Sequence, residues 1–364
     1  MTKTYQIRED NNIKQIRSRD YNYNFDKNTG YFERWGKTIN DDPSRCEFGP
    51  EIADIEITSI CKGPAGKLCS FCYKSNNSNG HNMSIDEFKI IFDKISNGVL
   101  TQIAFGADAQ ATANPDLFKM MEYARHNGVI PNITVADIDD KEADQIAKLC
   151  GAVAVSFYPH AGKDICYNSI ARLAERGMDQ INIHFMLDKV QAEFVDELIY
   201  DIKHDPRLIS LNAVVFLSLK NKGRGINNTR LTDEEYKVVV NKMFDSEIGF
   251  GFDSCSAAKF LKAIEDRKDT KELMELVDPC ESTSFSLYIN EKGYVVPCSF
   301  MEGIAWKMDG FDYVHSDGWN MITNNIQNSS DFLEKVWNSK EFLTFGAEAS
   351  RCVSCGNGCQ IYNI

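Results

Sequence analysis

Between residues 51 and 252 the chain alternates short apolar runs with longer amphipathic stretches. The segment Glu51-Ile-Ala-Asp-Ile-Glu-Ile-Thr-Ser-Ile60 alternates apolar and polar positions, the two-residue period of a strand. After a cysteine-containing loop, Ser84-Ile-Asp-Glu87 reads as a capping box. The helix it opens puts Phe88, Ile91, Phe92 and Ile95 on one face and stops near Gly98. The pattern then repeats as strand 101–105, helix 115–127, strand 131–135, helix 140–150, strand 152–155 and helix 164–176. Strand 180–187, helix 190–203, strand 212–219, helix 232–246 and strand 248–252 complete it. Such alternation predicts a parallel sheet covered by helices, with functional residues at the C-terminal ends of the strands.

The flanks read differently. Residues 1–50 are polar, with a hairpin predicted from Tyr21-Asn-Tyr-Asn-Phe25 and Tyr31-Phe-Glu-Arg-Trp35 around Asn28-Thr-Gly30. Beyond about residue 260 a helix over 257–276 gives way to Cys-rich sequence. A second hairpin is predicted there, Ser286–Asn290 with Tyr294–Pro297 around Glu291-Lys-Gly293. The expected organisation is an N-terminal extension 1–50, a core 51–260 and a small C-terminal domain 261–364.

At 364 residues the chain can bury one large core or two. A net charge of −13 lowers the case for broad nucleic-acid binding, which leaves a basic footprint. The short basic stretches are Arg17-Ser-Arg19, which reads as a solvated loop, and Lys220-Asn-Lys-Gly-Arg224, for which a solvated loop is the plainest reading. No apolar run is long enough to span a bilayer, and the N-terminus lacks a signal-peptide pattern. Twelve cysteines without a secretion signal point to the cytoplasm and to metal binding rather than disulfides.

Three of those cysteines carry the chemistry. Cys61, Cys69 and Cys72 follow the first core strand in a Cys-x7-Cys-x2-Cys pattern. Three thiolates can hold three irons of a 4Fe–4S cluster and leave the fourth open. Zinc is the alternative, but structural zinc takes four ligands, and the nearest histidine is His81.

In these residues the chain resembles the radical SAM superfamily, where three cysteines follow the first strand of a partial barrel, usually spaced Cys-x3-Cys-x2-Cys. The four extra residues here include Gly63, Pro64 and Gly66 and read as a lengthened loop. The resemblance implies an α/β chain with a partial (β/α)6 TIM-like barrel. It implies that S-adenosylmethionine (SAM) binds the open iron, that Phe71 packs near the adenine, and that Gly106, Ala107 and Asp108 meet the methionine end. Ser156, at the end of strand four, matches a position that contacts the ribose or carboxylate. His184 in strand five and Asp137 after strand three are expected to line the barrel, His184 as a proton-transfer group or as a satisfied core histidine.

Downstream, Cys280 is followed by twelve residues, Gly293, four residues and Cys298, and later by Cys352-Val-Ser-Cys355-Gly-Asn-Gly-Cys359. This is similar to the twitch and SPASM extensions of radical SAM enzymes. The resemblance implies a small Cys-rich α+β domain with an auxiliary 4Fe–4S cluster on Cys280, Cys298 and two of Cys352, Cys355 and Cys359. A zinc ribbon is the alternative for this site. Cys255, after the last core strand, stays open between a cluster ligand, a substrate-facing thiol and a buried structural thiol. Cys46, Cys150 and Cys166 lack paired spacing and read as packing residues.

The activity implied is reductive cleavage of SAM to a 5′-deoxyadenosyl radical that abstracts hydrogen from carbon. The electron donor is of the flavodoxin or ferredoxin kind. Relatives with such extensions mostly act on peptides, proteins or small carbohydrate-like molecules. The leading expectation is modification of a peptide or protein substrate. The alternatives are an oxidoreductase or isomerase for a small molecule or nucleoside, and a non-catalytic iron–sulfur or zinc protein.

Overall fold

The computed structural model describes residues 4–106, 110–303, 306–308, 311–313, 319–323 and 326–354. Four antiparallel strands open the chain: β1 (Gln6–Glu9), β2 (Ile13–Arg17), β3 (Asn22–Asp26) and β4 (Phe32–Trp35). The expected hairpin is β3–β4, with Phe25 opposite Phe32 and Gly30 at φ +74° in the turn. Strands β1 and β2 left no apolar alternation to read, because β1 is exposed at every position. The sheet's inner face, Ile16, Tyr21, Tyr23 and Phe25, packs with Val99, Ile130 and Phe285. Lys14 Nζ donates to the Leu100 carbonyl (3.0 Å). These contacts put the sheet over the N-terminal ends of the core strands.

The core strands are β5 (Ile52–Ile55), β6 (Gln102–Phe105), β7 (Ile130–Val135), β8 (Val153–Phe157), β9 (Ile181–Leu187), β10 (Ala213–Ser218) and β11 (Phe250–Phe252). Between them run α1 (Ile85–Ile95), α2 (Leu117–His126), α3 (Asp140–Leu149), α4 (Lys163–Glu175), α5 (Val195–His204) and α6 (Asp233–Ser246). All neighbouring core strands pair in parallel and in sequence order, giving six strand–helix units and a seventh strand. The Ser84–Glu87 capping box is present at α1, and Asp139 and Thr232 cap α3 and α6 in the same way. On β9, Ile181, Ile183, Phe185 and Leu187 are buried in the main core, while Asn182, His184 and Met186 are half-buried on the opposite face. Side chains of a strand alternate between faces, so these three point into the barrel.

The sheet continues past residue 260. After α7 (Ala257–Ile264) and α8 (Thr270–Met274), β12 (Ser286–Ile289) joins β5 in parallel, with Tyr288 opposite Asp54. β13 (Tyr294–Val296) returns antiparallel, with Gly293 at φ +81° between the two. β14 (Trp306–Met308) and β15 (Phe311–Tyr313) pair with each other, and β16 (Trp319–Asn320) borders β13. The helix expected over 257–276 is two helices. The Thr270 hydroxyl donates to the Ile264 and Arg267 carbonyls (2.6 Å each), side-chain bonds that compete with continued helix between them. α9 (Ser329–Phe332) and α10 (Lys340–Ser354) complete the described chain. Ten strands thus form one sheet, with β11 at its free end.

Candidate active site

The cysteine loop leaves β5 and is pinned at once. The Cys61 amide donates to the Asn77 carbonyl (2.7 Å), and Gly63 begins a tight turn. Gly63 sits at φ +73°, and a Cβ there would fall 2.0 Å from the Lys67 carbonyl oxygen. Gly66 and Lys67 amides close the turn onto the carbonyls of Gly63 (3.1 Å) and Pro64 (3.0 Å). The extra residues therefore fold onto themselves, and Cys61 stays near Cys69 and Cys72. All three thiols are half-buried and free. Burial, then Cys72 and Cys61, push the Cys69 thiol up to about 12. A thiol raised in this way ionises readily only when a metal displaces its proton. Among the described residues no three Cys, His, Asp or Glu side chains converge as on a single ion. His81, the histidine a zinc site would need, is exposed.

A second segment clamps this loop. Arg224 donates from its backbone amide to the Cys72 carbonyl (2.9 Å), from Nε to the Cys69 carbonyl (2.8 Å) and from Nη1 to the Asn76 carbonyl (3.1 Å). A Cβ at Gly223 would lie 2.4 Å from the Tyr73 carbonyl oxygen and 2.7 Å from that of Cys72. Lys220 is 1% exposed, donates to Asp253 Oδ2 (3.0 Å) and lies over the Phe300 ring. The reading of 220–224 as a solvated basic loop is thus corrected. Its cations answer backbone carbonyls and a carboxylate, partners that lie far away in the sequence.

The wall above the cysteines is aromatic. Phe71 is buried, stacks on Tyr158 (centroids 5.7 Å apart) and meets the edge of His160 (5.9 Å). Burial, and then Cys69, hold the Tyr158 hydroxyl well above its ordinary range, while its hydrogen bond with Ser156 opposes them. Sequence reasoning missed Tyr158, although its place just past β8 was a signal. Gly106 is at φ +72°, and a Cβ there would fall 2.4 Å from Ala111 Cβ, so this bend is closed to larger residues. Ala107 and Asp108 lie outside the described residues. Asp137 is exposed and does not line the barrel. A polar residue just past a strand end can turn either way.

A cavity of about 980 Å³ joins these parts. Phe71 and Tyr73 border it at the cysteine loop, and Asp54, Thr134, His184 and Met186 line its barrel side. Burial pulls the His184 imidazole down to about 4, against the pull of Asp253, so it is neutral at pH 7. Cys255, Cys280 and Cys298 all line the same cavity. Burial, followed by Cys280 and Cys255, raises the Cys298 thiol, which places the three as neighbours. Cys255 is therefore unlike Cys46, Cys150 and Cys166, which are buried as expected. Cys352 lies in the last turn of α10, whose side chains there, with Cys355 and Cys359, are outside the described residues.

A buried ion network ties the two cysteine regions together. Lys74 donates to Glu56 Oε2 (2.9 Å), to the Tyr288 hydroxyl (2.9 Å) and to Glu302. The Tyr288 hydroxyl in turn donates to Glu56 (2.5 Å).

No curated protein matches the chain by sequence. Residues 280–360 match the SPASM family, an iron–sulfur cluster-binding domain. Among solved structures, Streptococcus suis SuiB bound to S-adenosylmethionine is similar, with a TM-score of 0.58 at 17% identity over 86% of this chain and 72% of that one. BtrN in complex with AdoMet and 2-DOIA scores 0.40 at 14% identity, over 83% of this chain and 87% of that one. The FeFe-hydrogenase maturase HydG from Carboxydothermus hydrogenoformans scores 0.40 at 16% identity, over 56% and 53%. The likeness to SuiB is one of fold. The chain thus carries a SPASM-type iron–sulfur cluster-binding domain over residues 280–360, behind a core that shares the fold of SuiB.

Proposed function

We propose that the chain modifies a peptide or protein substrate, abstracting hydrogen from it within the cavity between the two cysteine regions. The observation that carries this reading is the edge of β11, unpaired among the described residues, which lines the cavity. The Gly249 carbonyl and Asp253 amide bond to β10 (2.9 and 3.0 Å). Alternation along the strand then turns the peptide groups of Phe250 and Phe252 outward. Gly251 has open space where a Cβ would stand. An extended peptide can satisfy such an edge by adding as a further strand, which a compact small molecule does less well.

Within this reading Cys61, Cys69 and Cys72 hold the first cluster, and Cys280 and Cys298, with two of Cys352, Cys355 and Cys359, hold the second. When bound, SAM and the first cluster supply the 5′-deoxyadenosyl radical on receipt of an electron from a flavodoxin- or ferredoxin-type donor. Phe71 and Tyr158 wall the adenine side and keep water out. Gly106 and the following Ala107 and Asp108 offer peptide groups and a carboxylate to the cofactor, and Ser156 a hydroxyl. His184, neutral, is placed to accept a hydrogen bond or a proton from substrate. Cys255 either completes the auxiliary site or gives a hydrogen atom to a substrate radical. In the second case the thiyl left behind takes one electron from the same class of donor and one proton from water. Residues 1–50 form the extension, 51–260 the core and 261–364 the auxiliary domain.

The test is anaerobic reconstitution, reduction and mass spectrometry for 5′-deoxyadenosine. Wild type should make it. The triple variant Cys61→Ala, Cys69→Ala, Cys72→Ala should not, while retaining about four iron and four sulfide per chain in the auxiliary site. Continued cleavage by the triple variant sinks the assignment, and zinc without sulfide in that variant supports a ribbon. Co-expression with peptides encoded nearby should yield a modified peptide. A modified small molecule instead moves the enzyme to the dehydrogenase or isomerase class.

A further inference from the structure

The inner face of β5 carries two carboxylates two residues apart, and they are treated differently. Glu56 is fully answered: Lys74 and the Tyr288 hydroxyl donate to it, and Asn76 Nδ2 reaches Oε1 at 3.3 Å. Asp54 lines the cavity, and its carboxylate meets no donor and no cation among the described residues. Several other polar groups inside the barrel are paired. Asn132 donates to Gln102 (2.9 Å), Asn212 to Asn182 (3.1 Å) and Lys220 to Asp253 (3.0 Å).

The neighbours of Asp54 do not replace those partners. Across the β5–β6 pairing stands Ala104, and across the β5–β12 pairing stands Tyr288, whose hydroxyl donates to Glu56; the cavity wall around Asp54 includes Ile52 and Thr134. His184 faces the same space as a neutral ring. Lys220 is the cation that lines the cavity among its described residues, and Asp253 already holds it. Asp54 is half-buried, so its carboxylate is only partly solvated at the cavity wall, and with no cation beside it among the described residues that position is open to one. Burial raises the Asp54 carboxyl to about 6, which leaves it mostly ionised at pH 7.

We propose that Asp54 anchors a cationic group of the substrate, an ammonium or guanidinium such as a lysine or arginine side chain, at the cavity wall. This deepens the reading of the cavity as the substrate site and names a feature of what enters it. A charge-assisted hydrogen bond in a dry site gives a preference for the cation over a neutral isostere on the order of 10- to 100-fold.

The experiment uses the cluster-loaded protein without reductant, so binding is read apart from turnover. The probes are Nα-acetyl-lysine methylamide and its neutral counterpart Nα-acetyl-norleucine methylamide, titrated by ligand-observed NMR at pH 7.5. Wild type is expected to bind the lysine compound at least tenfold more tightly, and to lose that preference as pH falls below about 6. Asp54→Asn should bring the lysine compound to the level of the norleucine compound and leave the latter unchanged, which shows the cavity intact. Asp54→Glu should restore part of the preference. Equal binding of the two probes to wild type, or binding of neither, overturns the proposal. So does a preference that survives in Asp54→Asn, since Asp278, Glu281 or Glu348 would then carry the charge. If Asp54→Asn weakens both probes alike, the carboxylate shapes the cavity rather than reading charge, and the proposal also fails. Absence of 5′-deoxyadenosine under reduction would sink the radical reading and leave this result standing.

Discussion

Replacing Lys74 by methionine isolates the network that joins the cysteine loop to the C-terminal region. The substitution keeps the stem and removes the ammonium. In the wild type that ammonium is 2.9 Å from Glu56, with side chains 7% and 0% exposed. Its loss leaves Glu56 buried with the Tyr288 hydroxyl and Asn76 as remaining donors. Breaking one partner of a buried pair costs about 3–5 kcal/mol, because the surviving charge keeps its desolvation penalty. For a chain of this size the apparent Tm should fall by roughly 4–7 °C. The sign with pH follows from Glu56. Burial already raises its carboxyl above the ordinary 4.5, and removing Lys74 raises it further. An acid raised in the folded state weakens the fold as pH climbs above its unfolded value, so the deficit should grow upward from about pH 4.5 and shrink below it. Calorimetry at one scan rate across pH 5 to 8 reads both effects. The double variant Lys74→Met with Glu56→Gln should recover at least half the loss, since the amide oxygen still accepts from Tyr288, the fully buried charge is gone, and the more exposed Glu302 keeps its hydrogen bond from Asn290. A single variant within about 1 kcal/mol of wild type, or a double variant no better than the single, would refute the reasoning.

Gly223→Ala places a Cβ against two backbone carbonyls of the cysteine loop. It should lower iron bound at Cys61, Cys69 and Cys72 and cut 5′-deoxyadenosine formation at least tenfold while sparing the auxiliary iron; unchanged iron content would count against the clamp. The His184 ring should titrate with a midpoint near 4 by heteronuclear NMR. Its depressed folded value means that stability is lost as pH falls through the window from about 6.5 to 4, and His184→Gln should flatten that slope. Cys255→Ala should keep about four auxiliary iron if the thiol is a hydrogen donor and lose them if it is a ligand; deuterium from heavy water in the wild-type product identifies the donor.

The strand–helix alternation of 51–252 was legible because its signals are local. A two-residue or 3.6-residue apolar period, a Ser84–Glu87 box and a terminal glycine each act within one element. The cysteine loop was legible for a similar reason, since Cys61, Cys69 and Cys72 are close in the chain and their spacing is a ligand count. What sequence order could not supply was partnership. Arg224 finds the carbonyls of Cys69 and Asn76 about 150 residues away. Cys255 meets Cys280 and Cys298 only because β11 ends the parallel sheet beside the cavity those two line. Tyr158, Lys220 and Arg224 looked like ordinary loop residues until the strands' C-terminal ends were gathered on one side. Asp54 and Glu56 share a strand face and a residue class, yet one is neutralised by Lys74 and the other faces the cavity without a cation. Periodicity decides which side of a strand is polar. Which polar group is answered depends on charges brought from distant segments, and only the closed fold sets those distances.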